Sequence, residues 1–299
     1  MKFQSPFSLL EDLGIDPQEV RMDNLPKLEK RLLLEIDLSG DTYLKAGKTT
    51  VTKDDILTLF EQLKKTQSLD FHRLLRDEYP KLDRFLRTGE FNDRKSIIGN
   101  VLEMENLEGF RQFVSPYLVD AIRKQINLYF NKRDFRKAFR LLELTTLLTP
   151  EDHSHAFDKL AGSLNQLLEQ IEFFAAGTVP LDLENYQFLY HDHFIQFMNE
   201  LPPEFNASRE KLAIRLNNLG VQYQKKELKY IYMIFMALRA LKCSSTMKET
   251  IYSNSEILEE SYLPRSEEEI DTDDNGFSWF RVIGILSVLM TLIRACSSS

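Results

Sequence analysis

The chain is short of the residues that interrupt helices and of those that staple small folds. It has 11 Gly, 10 Pro and 2 Cys among 299 residues. Leu, Lys, Glu, Arg and Gln, which keep rotamer freedom in a helix, dominate instead, so a mostly helical protein is expected. The two cysteines, Cys243 and Cys296, are too few for the framework of a secreted disulfide scaffold and point to a reducing compartment. The N-terminus lacks an apolar run as well: MKFQSPFSLLEDLG has only Phe7 to Leu10 before acids begin, so N-terminal export is not expected.

Motifs for catalysis are equally sparse. No Ser or Cys sits in a nucleophile-elbow pattern, no Cys pair has metal spacing, and the acidic residues carry no paired-carboxylate signature. A non-enzymatic protein without a cofactor is therefore expected. Gly47-Lys48-Thr49 invites comparison with a phosphate-binding loop, but the earlier glycine would fall at position 42, which is Thr42.

What is present is core material: 43% of residues are apolar, 21 Phe and 11 Tyr included, enough for a large packed body. The net charge of -8 is local. Residues 249–276 hold ten acids and one base, which leaves the remainder nearly neutral. With no global basic field, nucleic acid is not a favoured partner.

Along the chain, PFSLLED reads as a short helix ended at Gly14, and Asp16-Pro17 as an N-cap and first helical position. Leu28, Leu32 and Ile36 fall four apart on one helix face. The Thr-rich stretch about 42–52 predicts a β-hairpin, and Thr52 to Asp55 has the spacing of a capping box opening a helix through Ile56, Leu59, Phe60 and Leu63. From Leu69 to Phe113 three helical stretches are expected, broken near Gly89, Gly99 and Gly109, with Ser115-Pro116 starting the next. Short connections favour antiparallel neighbours and so an α-hairpin stack.

Between Val119 and Asp152 the chain reads VDAIRKQINLYFNKRDFRKAFRLLELTTLLTPED, with a turn at Asn131 to Asp134. This stretch resembles one tetratricopeptide repeat, with Ile126, Tyr129, Ala138, Leu142 and Pro150 at the family's eighth, eleventh, twentieth, twenty-fourth and closing positions. Ile122, Gln125 and Thr145 depart from the family's preferences. The resemblance implies that Ala138 is small because the first helix crosses it, with Tyr129 filling the gap beside it and Phe135 packing at the turn. A weaker echo lies around Leu219-Gly220 and Tyr223, although Tyr232 stands where Ala is preferred. Between the two, a long helix is expected to bury Phe157, Leu160, Leu164, Leu167, Leu168 and Ile171. The resemblance implies an all-α, solenoid-like stack of antiparallel α-hairpins that binds another protein.

Seven basic residues of the better repeat, Arg123, Lys124, Lys132, Arg133, Arg136, Lys137 and Arg140, are either a solvated helix face or a groove for an acidic peptide or nucleic acid. Four of the five histidines form two pairs, His153/His155 and His191/His193, the candidates for a metal site. Residues two apart on a helix point to nearly opposite sides, so pairs abutting helices make poor ligand sets, and no metal is expected.

From Ser244 the composition turns to Ser, Glu and Asp, and residues 244–276 read as an acidic flexible linker. Beyond it, Trp279 and Phe280 precede twelve uncharged residues, Val282 to Ile293, held between Arg281 and Arg294. Such a segment is expected to attach to a membrane, although twelve residues of helix span only about 18 Å of a core of about 30 Å. Its stripe of Arg281, Gly284, Ser287, Thr291 and Arg294 suits an interfacial helix or self-association through the tail. The alternative is a terminal helix docked on the body.

The expected organisation is thus an N-terminal helical region over 1–115, a repeat-like region over 116–243, the linker, and a tail anchor over 277–299. It predicts an adaptor on the cytoplasmic side of a membrane that binds a protein partner. The alternatives are a soluble binder of acidic peptide or nucleic acid, and a metal-dependent enzyme using the histidine pairs.

Overall fold

The computed structural model describes residues 3, 5–47, 49–65, 67–92 and 94–262. It is mostly helical, with thirteen α-helices and one two-stranded antiparallel sheet among the described residues. The chain divides into two compact units, the first of residues 1–132 and 140–160, the second of 133–139 and, among those described, 161–262.

The first unit begins with α1 (Pro6–Asp12), capped by Ser5 and ended before Gly14, whose φ of 75° is open to a residue without a Cβ. A 3-10 turn at Pro17–Glu19 follows, with Asp16 accepting from the Gln18 amide at 2.8 Å. Helix α2 (Leu25–Ser39) buries Leu25, Leu28, Leu32 and Ile36. Strands β1 (Tyr43–Ala46) and β2 (Thr49–Thr52) pair Leu44 with Val51 and Tyr43 with Thr52 across a two-residue turn that Gly47 enters at φ 57°. Thr52 and Asp55 then form the reciprocal capping box that opens α3 (Lys53–Leu63), and Ile56, Phe60 and Leu63 join the core with Phe7 and Leu10.

Helices α4 (Ser68–Asp77), α5 (Pro80–Thr88) and α6 (Leu107–Asn131) complete this part, with a 3-10 turn at Val101–Glu103 between α5 and α6. The break expected near Gly109 falls just before it, at 104–106, whereas no new helix starts at Ser115-Pro116. Asn106 is the N-cap of α6 and accepts from the Gly109 amide at 3.2 Å, while Pro116 lies inside the helix. A proline there removes one N–H and crowds the preceding turn. The helix continues because Phe110, Val114, Leu118, Ile122, Ile126 and Phe130 all repeat at four-residue steps and are buried. A boundary at 115/116 would cut a single helix.

The stretch that resembles a repeat keeps its turn, with α6 ending at Asn131 and α7 (Phe135–Leu141) opening after Arg133 at φ 60°. Its second helix is only seven residues long and gives way to a 3-10 segment, Leu142–Leu147. Thr145 and Thr146 donate their hydroxyls to the carbonyls of Leu142 and Glu143, bonds that accompany this tighter winding. Pro150 opens α8 (Pro150–Ala175), which buries Phe157, Leu160, Leu164, Leu167, Leu168 and Ile171 as the periodicity predicts.

The second unit contains α9 (Leu183–Tyr186), a 3-10 turn at Gln187–Tyr190, α10 (Asp192–Glu200), a 3-10 turn at Pro203–Phe205, α11 (Asn206–Tyr223), α12 (Leu228–Leu238) and α13 (Ser245–Tyr262). Phe135 joins it, its ring 4.9 Å from Phe194 and 5.2 Å from Phe188. A Cβ on Gly220 of α11 would overlap the ring of Phe235 on α12, so the small residue sets how closely these helices approach. Helix α13 corrects the expectation of a linker starting at 244. Its polar composition hides Met247, Ile251, Ser255 and Leu258, spaced four, four and three apart and all buried. The rest of that linker and the apolar tail lie outside the described residues.

Candidate functional site

The seven basic residues singled out in the sequence fall in both compact units. Arg123 donates to Asp120 at 2.8 Å and to Asp158 at 3.4 Å, and Lys137 pairs with Asp134 at 2.9 Å. Arg133 lays its guanidinium over the Phe188 ring, 4.3 Å from its centroid, and burial there lowers its pKa. Lys124, Lys132 and Arg136 are exposed, while Arg140 is half-buried. Arg123, Lys124, Lys132 and Arg140 belong to the first unit, and Arg133, Arg136 and Lys137 to the second.

The packing residues are divided in the same way. Ile126, Phe135 and Ala138 are buried, as is Leu142. Tyr129 meets Phe91 edge-on at 5.8 Å in the first unit, whereas Ala138 belongs to the second. Pro150 begins α8, as the closing proline of a repeat would begin the next helix.

The two histidine pairs belong to different units. His153 and His155 sit in the first turns of α8, with His153 5.5 Å from the Phe157 ring; His191 is the N-cap of α10 and His193 its second residue. No group of three or more His, Cys, Asp or Glu side chains is placed to hold a metal among the described residues. Trp279, Phe280, Arg281 and Arg294 lie outside the described residues.

The fifth histidine, which the pairs left aside, marks the best-formed site. His72 lies on the inner face of α4 beside Leu69, Phe71 and Leu75, and is only 6% exposed. Its ring stands edge-on to Phe113 at 4.7 Å and lies 5.7 Å from Phe3; Phe113 in turn lies 5.4 Å from Phe71 and 6.1 Å from Tyr117. Its Nδ1 has no hydrogen-bond partner among the described residues. Burial among these rings disfavours the imidazolium and lowers its pKa to about 4, so the side chain is neutral at pH 7.

Beside it opens a cleft of about 450 Å³ in the first unit, between the end of α3, the start of α4 and the first turns of α6. Phe71, Phe113, Pro116 and Tyr117 supply its apolar wall, and Gln62, Gln67 and Gln112 its amide rim, with Lys65 as the one cation among the described lining residues. Phe71 is buried, while Phe113 and Tyr117 are half-buried and so offer ring surface to a ligand.

The rim is held by a specific local geometry. Gln67 sits at φ 63°, sparsely populated for a residue with a side chain, and its Oε1 accepts from Asn106 Nδ2 at 2.9 Å. Asn106 also caps α6 through its Oδ1, so one amide ties the starts of α4 and α6 together. Gly109 leaves room for that amide, since a Cβ there would press against both Asn106 side-chain heteroatoms.

Sequence reasoning missed this site because it draws on three separated segments. The available signal was a histidine inside the apolar stripe of α4, flanked by Leu69 and Leu75. Comparison of the chain with family models, with curated proteins and with solved structures finds no match to any of them.

Proposed function

We propose that this chain is a non-enzymatic helical adaptor. Its cleft beside His72 takes an apolar or aromatic side chain from an extended segment of a partner protein, and residues 277–293 hold it on the cytoplasmic side of a membrane. The observation that carries the partner-binding half is the composition of the cleft. An aromatic wall and a neutral imidazole accept an uncharged side chain, and three rim amides offer donors and acceptors that match a peptide backbone. The likeness of residues 119–152 to a protein-binding repeat supports the same class of partner.

The membrane half rests on the apolar run 282–293 and its flanking Trp279 and Phe280. Among the described residues no helix is long and apolar enough to cross a membrane.

Selection of peptides from a random display library against the full chain tests the cleft. Selected peptides are expected to share an aromatic or large aliphatic anchor and to lose at least tenfold in affinity for Tyr117→Ala and for Gln112→Arg, a change on the exposed rim that leaves the core intact. Peptides that bind both variants as tightly as the wild type would overturn the assignment. For the tail, the full chain is expected in the membrane fraction and a chain lacking 277–299 in the soluble one. A full chain that stays soluble without detergent refutes that half.

A further inference from the structure

A second surface in the first unit is independent of the cleft. Helix α2 divides into three sectors at about 100° per residue. Leu25, Leu28, Leu32 and Ile36 form the inner one and are buried in the core. Glu29 and Asp37 turn toward α3, where Lys64 meets Glu29 at 2.5 Å and Lys53 pairs with Asp37. The outer sector carries Lys27, Lys30, Arg31, Leu34, Glu35 and Leu38, which together line one shallow, open surface.

Two features distinguish this surface from an ordinary solvated face. Leu34 is 49% exposed and Leu38 86%, the highest exposure of any large apolar side chain among the described residues. An unpaired leucine so exposed forgoes the roughly 1.5–3 kcal/mol available from burying it. The charge is also segregated. Two of the three acids in the helix are drawn to Lys53 at the start of α3 and Lys64 just after its end, which leaves three cations against Glu35 on the outer sector. None of the three cations has an ion-pair partner among the described residues.

We infer that the outer sector of α2 docks on an anionic lipid surface, with Lys27, Lys30 and Arg31 on the headgroups and Leu34 and Leu38 entering the interface. Among the described residues this surface is lined by a single helix, an arrangement that suits a planar layer of anions. Cations and leucines share the same sector, the arrangement that lets electrostatic attraction and apolar burial act together at a bilayer. Because Arg281 and Arg294 of the tail also favour anionic lipid, the α2 contribution is the part of the anionic preference that changes on α2 remove.

The test is co-sedimentation of the full chain with phosphatidylcholine vesicles and with vesicles containing 30% phosphatidylserine. Each cation beside an anionic leaflet is worth roughly fivefold in binding. The wild type is therefore expected to bind the anionic vesicles at least tenfold better than the neutral ones. Lys27→Glu with Lys30→Glu and Arg31→Glu should abolish that preference while leaving binding to neutral vesicles unchanged. All three positions are exposed, so the fold tolerates the changes. A single tryptophan, placed by Leu38→Trp with Trp279→Phe, should shift its emission to the blue on anionic vesicles only.

Equal binding of the wild type to both vesicles overturns the proposal, as does a triple variant that keeps the preference. An α2-dependent gain seen with a polyglutamate peptide and not with vesicles would assign the surface to an acidic protein instead. Tail deletion that removes binding to neutral vesicles but leaves binding to anionic ones, with that remainder lost in the triple variant, would separate the two attachments; a tail-deleted chain that binds neither overturns the proposal.

Discussion

Replacing His72 by leucine should remove a specific part of the pH dependence of the first unit. The imidazole titrates near 6.5 when the chain is unfolded and near 4 when folded, because burial among Phe3, Phe71 and Phe113 penalises the charged form. Between these values the unfolded state binds the extra proton, so stability present above pH 6.5 is lost as pH falls toward 4 and falls no further below it. From pH 7.5 to 5.0 the loss amounts to about 2 kcal/mol, roughly 30-fold in the opening equilibrium. At pH 7.5 the leucine variant should lie within about 1 kcal/mol of the wild type, since it removes an unpaired buried nitrogen along with the ring contacts. Because the chain forms two compact units, a global melt would mix their transitions. The measurement is amide hydrogen exchange of α4 and α6 at the two pH values, normalised to intrinsic rates. Wild-type protection should fall about 30-fold more than that of His72→Leu. Identical pH dependence in the two proteins would show that His72 is not buried neutral, and the reading of the cleft as an uncharged site would go with it.

Gly220→Ala is expected to destabilise the second unit by about 1–3 kcal/mol, because the added methyl overlaps the buried ring of Phe235; exchange from α11 and α12 reports it. Ser115→Ala should cost about 1–3 kcal/mol in the first unit, since the buried hydroxyl donates to Asp152 at 2.6 Å and accepts the Thr149 amide at 2.9 Å at the start of α8. Thr149 and Asp152 amide protection should drop in that variant. Arg209→Met should cost about 2–3 kcal/mol in the second unit, because the guanidinium donates to the carbonyls of Met198 and Leu201 at 3.1 and 2.8 Å; exchange at the end of α10 gives the readout. Raising salt from 50 to 500 mM should leave peptide binding at the cleft within about twofold and lower anionic-vesicle binding through α2 by at least tenfold, both read by titration.

Local chemistry made several elements legible in advance. The capping box of Thr52 and Asp55, the hairpin before it and the six apolar positions of α8 each follow from residues close in the chain. Where two local signals compete, the packing term decides. Pro116 signals a helix start, but the buried row from Phe110 to Phe130 outweighs one lost hydrogen bond and carries α6 through it. Composition likewise concealed α13, because four buried positions in eighteen residues suffice to hold a helix whose average character is polar. The likeness to a repeat identified a true turn at Asn131 to Asp134, yet it could not forecast that the second helix would tighten after seven residues.

The cleft was harder to read because its properties arise only when α3, α4 and α6 meet. A histidine is nearly neutral or partly charged in water according to pH, and sequence alone leaves that choice open. The rings around His72 make the choice. They remove its charge, and with it any strong preference of the cleft for an anion, even though Lys65 stands on the rim. The recognition proposed there rests on ring surface and on amides, interactions that salt scarcely screens. The outer sector of α2 has the reverse composition, with its cations exposed and its neighbouring acids taken by Lys53 and Lys64, so its attraction decays within a Debye length of about 10 Å at 0.1 M salt. One unit thus carries the pocket proposed to take a partner's side chain and the charged face proposed to meet a lipid layer. Ionic strength acts on only one of them, which makes it the simplest means of observing each without the other.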